Sequence, residues 1–146
     1  MVKKLWSRLF GTSEYDTARG VASSSDGSVY VCGMTEGNLD GQTNAGGRDY
    51  FLIKYDSDGN KVWTELWGGS GKEQNFFGDL VISPDGKSIY ICASTQSSDF
   101  DGQTNSGNYD AFLTKYSSDG IKDWTRFLGT TNSDEGRGVA ISSDGE

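Results

Sequence analysis

The sequence contains no histidine in 146 residues. That removes the commonest general base and the commonest nitrogen ligand for metals. Ser-His-Asp, Cys-His and His-zinc chemistries are therefore excluded within one chain, and no cofactor is expected. Cations are also scarce: 13 Lys and Arg stand against 21 Asp and Glu, a formal charge of −8. Such a surface repels phosphate backbones, so nucleic acid is not an expected partner. No apolar run approaches the ~18 residues of a membrane span, and none is expected. The opening MVKKLWSRLF has two lysines but no apolar stretch long enough for a secretory leader. An exported protein would carry its leader outside this sequence.

Apolar residues reach only 34%, while Gly numbers 21. Gly costs roughly 1 kcal/mol against Ala in a helix, so this composition favours strands and turns. Aromatics at 12%, including four Trp, supply the core material that the aliphatics do not. The expected class is all-β with many turns.

What is present is a repeat. DGQTN occurs at 40–44 and again at 101–105. Its flanks align: LIKYDSDGNKVWTELWG (52–68) with LTKYSSDGIKDWTRFLG (113–129), and SSDGSVYVCG (24–33) with SPDGKSIYICA (83–93). Trp6, Trp63 and Trp124 are equivalent, each followed five residues later by Gly11, Gly68 or Gly129. The spacing is 57 and then 61 residues, a difference that surface loops tolerate. RGVAISSDGE (137–146) begins a third copy of RGVASSSDGS (19–28).

Each unit reads as four strands, A to D: GVASSS, SVYVCGM, DYFLIKYD and KVWTELWG. Asp-Gly at 26–27, 58–59, 85–86, 119–120 and 144–145 marks tight turns whose Gly supplies a positive φ. A repeat of about 60 residues with four antiparallel strands is a propeller blade. The expected fold is an all-β propeller segment with two full repeats and part of a third. The expected division is an outer strand of an incomplete blade over 1–11, blades over 19–68 and 78–129, and the first strand of another over 137–146. In such a sheet the long B–C (35–48, 94–108) and D–A (11–18, 68–77, 129–136) connections share one face. DGQTN is expected on that face.

The pattern W-x-x-x-x-G, (R)GVA-x-SSDG-x-VYV-x-G and D-x-F-L-x-KY-x-x-DG-x-x-x-W resembles the bacterial SBBP β-propeller repeat. The second unit departs from it, with Gly78-Asp79-Leu80-Val81 where the others read Arg-Gly-Val-Ala. The shorter string at 56–63 is also similar to quinoprotein propeller repeats. The SBBP resemblance implies a non-enzymatic repeat scaffold for binding or cell-surface interaction, in secreted bacterial proteins.

Two residue sets could form sites. Asp40, Gln42 and Asn44, with Asp101, Gln103 and Asn105, offer carboxylates and amides near Tyr50, Phe100 and Tyr109. Such groups suit sugar hydroxyls, a lectin-like site for a carbohydrate. The competing role is bracing of the loop by side-chain-to-backbone bonds. Asp16, Glu73 and Asp134 recur five residues after the Gly of each D–A loop, a ring of acids attractive to a cation. Their competing role is a salt bridge or loop cap inside each blade. Asp56-Ser57-Asp58-Gly59-Asn60 lacks the later bidentate Glu of an EF-hand and its copy has lost the first acid, so it reads as a turn and no metal is expected. Cys32 and Cys92 lie at equivalent strand-B places and are expected as two separate buried thiols. A strand D at one end and a strand A at the other leave open sheet edges. Further blades of a longer chain, or a homo-oligomer closing a ring by strand exchange, would cover them. A protein ligand, and an engineered or fragmentary propeller whose interest is self-assembly, complete the expectations.

Overall fold

The computed structural model describes residues 3–71, 73 and 79–145. Its eight strands are β1 (Asp16–Ser23), β2 (Val29–Thr35), β3 (Asp49–Tyr55), β4 (Lys61–Trp67), β5 (Asp79–Ile82), β6 (Ser88–Thr95), β7 (Asp110–Ser117) and β8 (Lys122–Leu128). They form two antiparallel four-stranded sheets in sequential order, β1-β2-β3-β4 and β5-β6-β7-β8. These are the up-and-down blades that the repeat predicts. β1 and β5 lie side by side, which puts strand A of each blade on the inner, axial side. Gly78, where the second unit departs from the pattern, lies outside the described residues.

Turn chemistry sets the hairpins. Gly27, Gly59, Gly86, Gly120 and Gly145 all have φ between 71 and 85°. In each, the Gly N–H donates to the carbonyl three residues earlier, as Gly59 does to Asp56 at 3.0 Å. Any residue with a Cβ would be strained in this left-handed conformation.

β3 shows why the composition suffices. Tyr50, Phe51, Leu52, Ile53 and Tyr55 are all buried because both faces of a middle strand are covered. Tyr50 and Leu52 point into one cluster that also holds Leu80, Ile89, Ile91 and Phe112 of the second blade. Phe51, Ile53 and Tyr55 point into a second cluster, closed by Phe10. The core therefore lies between blades rather than within one.

The tryptophans form the joints. Trp63 Nε1 donates to the Ser118 carbonyl at 3.3 Å, and Trp6 Nε1 to the Ser57 carbonyl at 3.2 Å. Both rings lie against the Gly of the next blade's C–D turn, Gly120 and Gly59, where an added Cβ would fall 3.1 and 2.5 Å from ring atoms. Residues 3–10 thus sit on the first blade as β4 sits on the second. Trp67 joins Tyr50 to Tyr116 with ring centroids 5.8 and 5.2 Å away. Lys54 reaches across and donates to the Ser118 carbonyl at 3.0 Å. Cys32 and Cys92 are both free. Cys32 is buried as expected and Cys92 only half-buried. Burial raises the pKa of both thiols.

Candidate functional site

The B–C loop opens with a turn that only certain residues make. Leu39 and Gln42 pair through two backbone bonds of 3.1 and 2.9 Å. Between them Asp40 and Gly41 both have positive φ, 50 and 80°. Asp101 and Gly102 repeat this at 52 and 67°. Two successive left-handed residues make Asp-Gly the natural pair, since Asp tolerates that region and Gly adopts it freely.

The turn delivers Asp40 to β4. Its carboxylate meets Lys61 Nζ at 2.5 and 2.6 Å and accepts from Thr64 Oγ1 at 2.5 Å. Gln42 then lies along the same strand. Its Nε2 donates to the Thr64 carbonyl at 2.6 Å, and its Oε1 accepts from the Leu66 N–H at 3.0 Å. One side-chain amide thus engages the backbone of an edge strand as a neighbouring peptide would. Asn44 ties the loop back: Nδ2 donates to the Thr35 carbonyl at 3.1 Å and Oδ1 accepts from Gly46 N at 2.9 Å.

The second unit repeats the contacts. Asp101 pairs with Lys122 and accepts from Thr125 Oγ1, and Gln103 donates to the Thr125 carbonyl at 2.6 Å. Asn105 donates to the Thr95 carbonyl at 2.9 Å and accepts from Gly107 N at 2.8 Å. The sequence places DGQTN on the loop face, whereas the fold draws its Asp and Gln down the outer edge of strand D. The bracing is long-range rather than local, because an open outer edge needs a cover. Hydrogen bonds from Lys61 first, then Thr64, hold the Asp40 carboxyl below the usual carboxylate range. Lys61, Thr64 and their copies Lys122 and Thr125 are partners that the sequence reading did not single out. The shared spacing Lys-x-Trp-Thr was the available signal.

The D–A acids each close their own loop. Asp16 accepts from Thr12 N at 2.6 Å and from its hydroxyl at 3.1 Å. Asp134 accepts from Thr130 N at 2.7 Å and from its hydroxyl at 3.0 Å. Glu73 occupies the same place with a longer side chain and is 1% exposed. Its Oε1 accepts from Gly69 N at 3.2 Å, Thr95 Oγ1 at 3.1 Å and Ser97 Oγ at 2.7 Å, while Oε2 is buried without a partner. Burial pushes its pKa up to about 7, against the pull of those bonds. Among the described residues these acids form no group of three that could hold a metal.

Two further buried acids went unnoticed in the sequence. Asp49 and Asp110 start strand C, accept from Ala45 N and Ser106 N at 2.7 Å each, and leave Oδ1 without a partner. They lie against Gly68 and Gly129, where an added Cβ would fall 2.1 and 2.2 Å from those oxygens. The recurrent Asp before Phe-Leu and the Gly after strand D mark this contact in the sequence.

Among the described residues, a cleft opens on the loop face of the first blade. Thr12, Ser13, Glu14, Glu36, Gly37 and Asn38 line a polar cleft of about 480 Å³ between the D–A and B–C loops of the first blade. At the equivalent place on the second blade, Ser70 N donates to Asp99 at 2.9 Å and Gly71 N to Ser97 Oγ at 3.0 Å, tying the described parts of the two loops together.

Comparisons with known proteins agree with this geometry. The "Regulatory protein FlaEY" of Caulobacter vibrioides is 26% identical over 142 residues, which cover 88% of this chain and 15% of that protein. The chain therefore spans a small part of that relative's length. The SBBP β-propeller repeat model matches residues 5–40. That match runs from the strand-D equivalent through β1 and β2 to Asp40, so the family's unit straddles the joint made by Trp6. Residues 5–40 thus match an SBBP-type β-propeller repeat, and the two antiparallel four-stranded sheets have the form of propeller blades.

Proposed function

We propose that this chain is a non-enzymatic part of a longer β-propeller scaffold that presents its long-loop face for binding. The repeated joint carries the reading: Trp6 on Ser57 and Gly59, then Trp63 on Ser118 and Gly120, at one geometry. Such a joint adds blades in series, as repeat proteins do. The extra length of the curated relative and its title as a regulatory protein fit a scaffold that acts by contact. The SBBP resemblance supports a secreted or cell-surface setting. The polar cleft between Glu14 and Glu36, the latter already paired with Arg48, is the surface offered to a protein partner.

Closure by copies of this chain is the second arrangement. Residues 3–11 and 137–145 correspond to strands D and A, but every B and C strand already belongs to a sheet. A shared blade would still need two strands, which favours further blades. Light scattering after gel filtration decides between the two: a discrete multiple of 15.8 kDa supports a ring of copies. The lectin-like alternative predicts sugar-dependent changes in Trp fluorescence that Gln42→Ala and Gln103→Ala remove. Turnover of a chromogenic glycoside that is lost in Asp40→Ala or Asp101→Ala would overturn the non-enzymatic reading.

A further inference from the structure

The clasp recurs a third time with one half in place. Strand D reads Lys61-Val62-Trp63-Thr64-Glu65-Leu66 in the first blade and Lys122-Asp123-Trp124-Thr125-Arg126-Phe127 in the second. The segment before the first blade reads Lys4-Leu5-Trp6-Ser7-Arg8-Leu9. Every group that the Asp-Gly-Gln turn uses is present: a lysine, a hydroxyl three residues later, its carbonyl, and the next N–H but one.

Three observations support the equivalence. Trp6 is already docked as Trp63 is. Arg8 donates to the Ser7 carbonyl at 3.1 Å as Arg126 does to the Thr125 carbonyl at 3.1 Å, and that carbonyl also accepts Gln103. The Arg bond therefore leaves room for the amide. Lastly, Leu9 is 100% exposed, whereas its counterparts Leu66 and Phe127 pack on the core clusters. Leu66 is covered by the strand C and turn residues of its own blade, Phe51, Ile53 and Leu39.

We infer that Lys4, Ser7 and the backbone at Leu9 form a receptor for the Asp-Gly-Gln turn of another SBBP-type blade, whose strand C also covers Leu9. The inference rests on the scaffold reading above and names the joint's partner. A second copy is disfavoured because both of this chain's Asp-Gly-Gln turns are engaged on β4 and β8. The occupant is three strands, A to C, with one such turn.

The test extends the whole chain by repeating residues 16–59 directly before Lys3, which restores the register of Asn60 and Lys61. Hydrogen exchange is read at the Leu9 amide. Protection on the order of tenfold is expected in the extended chain, the worth of a made hydrogen bond. Alanine at the added copies of Asp40 and Gln42 should remove it, and Lys4→Ala should weaken it. In the unextended protein, Lys4→Ala and Ser7→Ala should change nothing. If the added strands gain protection while Leu9 does not, the receptor is wrong and the scaffold reading survives. If the added strands gain none, both fail. A dimer of the unextended chain with Leu9 protected would make a second copy the occupant and overturn the assignment.

Discussion

Glu73→Gln should stabilise the protein at alkaline pH and do progressively less as the solution is acidified. Glu73 is buried beside the charge of Asp49, and its pKa rises from 4.5 to about 7. Below pH 4.5 the carboxyl is protonated in both folded and unfolded chains, and it contributes no pH dependence. Between 4.5 and about 7 the folded chain binds the extra proton, so stability falls as pH rises. Above 7 the full penalty is present, about 3 kcal/mol for a shift of this size. Glutamine keeps the Oε1 acceptor for Gly69, Thr95 and Ser97 and carries no charge. Urea unfolding of both proteins at pH 4 and pH 8 gives the stability difference at each. That difference should move by about 3 kcal/mol in favour of glutamine between the two. Changes elsewhere, including at Asp49 whose pKa burial also raises, cancel to the extent that the variant leaves them alone. A difference that stays constant within about half a kcal/mol across the range would refute the buried-charge reasoning.

Gln42→Ala should cost about 1–2 kcal/mol, from two bonds to the edge of β4, and should raise concentration-dependent association seen by light scattering. Gly33→Ala places a Cβ 2.0 Å from the Thr17 carbonyl and 2.9 Å from Ala18 Cα; backbone cannot yield cheaply there, so a loss of about 3 kcal/mol or failure to fold is expected in chemical denaturation. Gly120→Ala forces an L residue into φ 85° against the Trp63 ring, and should lower stability by about 1–2 kcal/mol with a shift in Trp fluorescence. Asp26 is held down to about 2, first by the Ser24 hydroxyl and then by Ser28. Its contribution is present above the ordinary value of 3.8 and lost as pH falls through about 2, which a carboxyl NMR titration reads directly.

The sequence alone determined the blade. Alternating β-branched and aromatic runs, the Asp-Gly turns and the Trp spacing are local signals, and each one fixes backbone that its neighbours in the chain already constrain. The positive φ at all five turn glycines follows from that locality. What the chain order could not reveal is where the DGQTN side chains go. Asp40 meets Lys61 and Thr64 more than twenty residues away, and only the assembled four-stranded sheet brings a loop from one end onto the outer edge of strand D. The same holds for Glu73, an acid at a loop position in the sequence. It is buried because Thr95 and Ser97 of the next blade converge on it. Burial and long-range pairing depend on which blade packs on which, and that is decided by the tertiary structure.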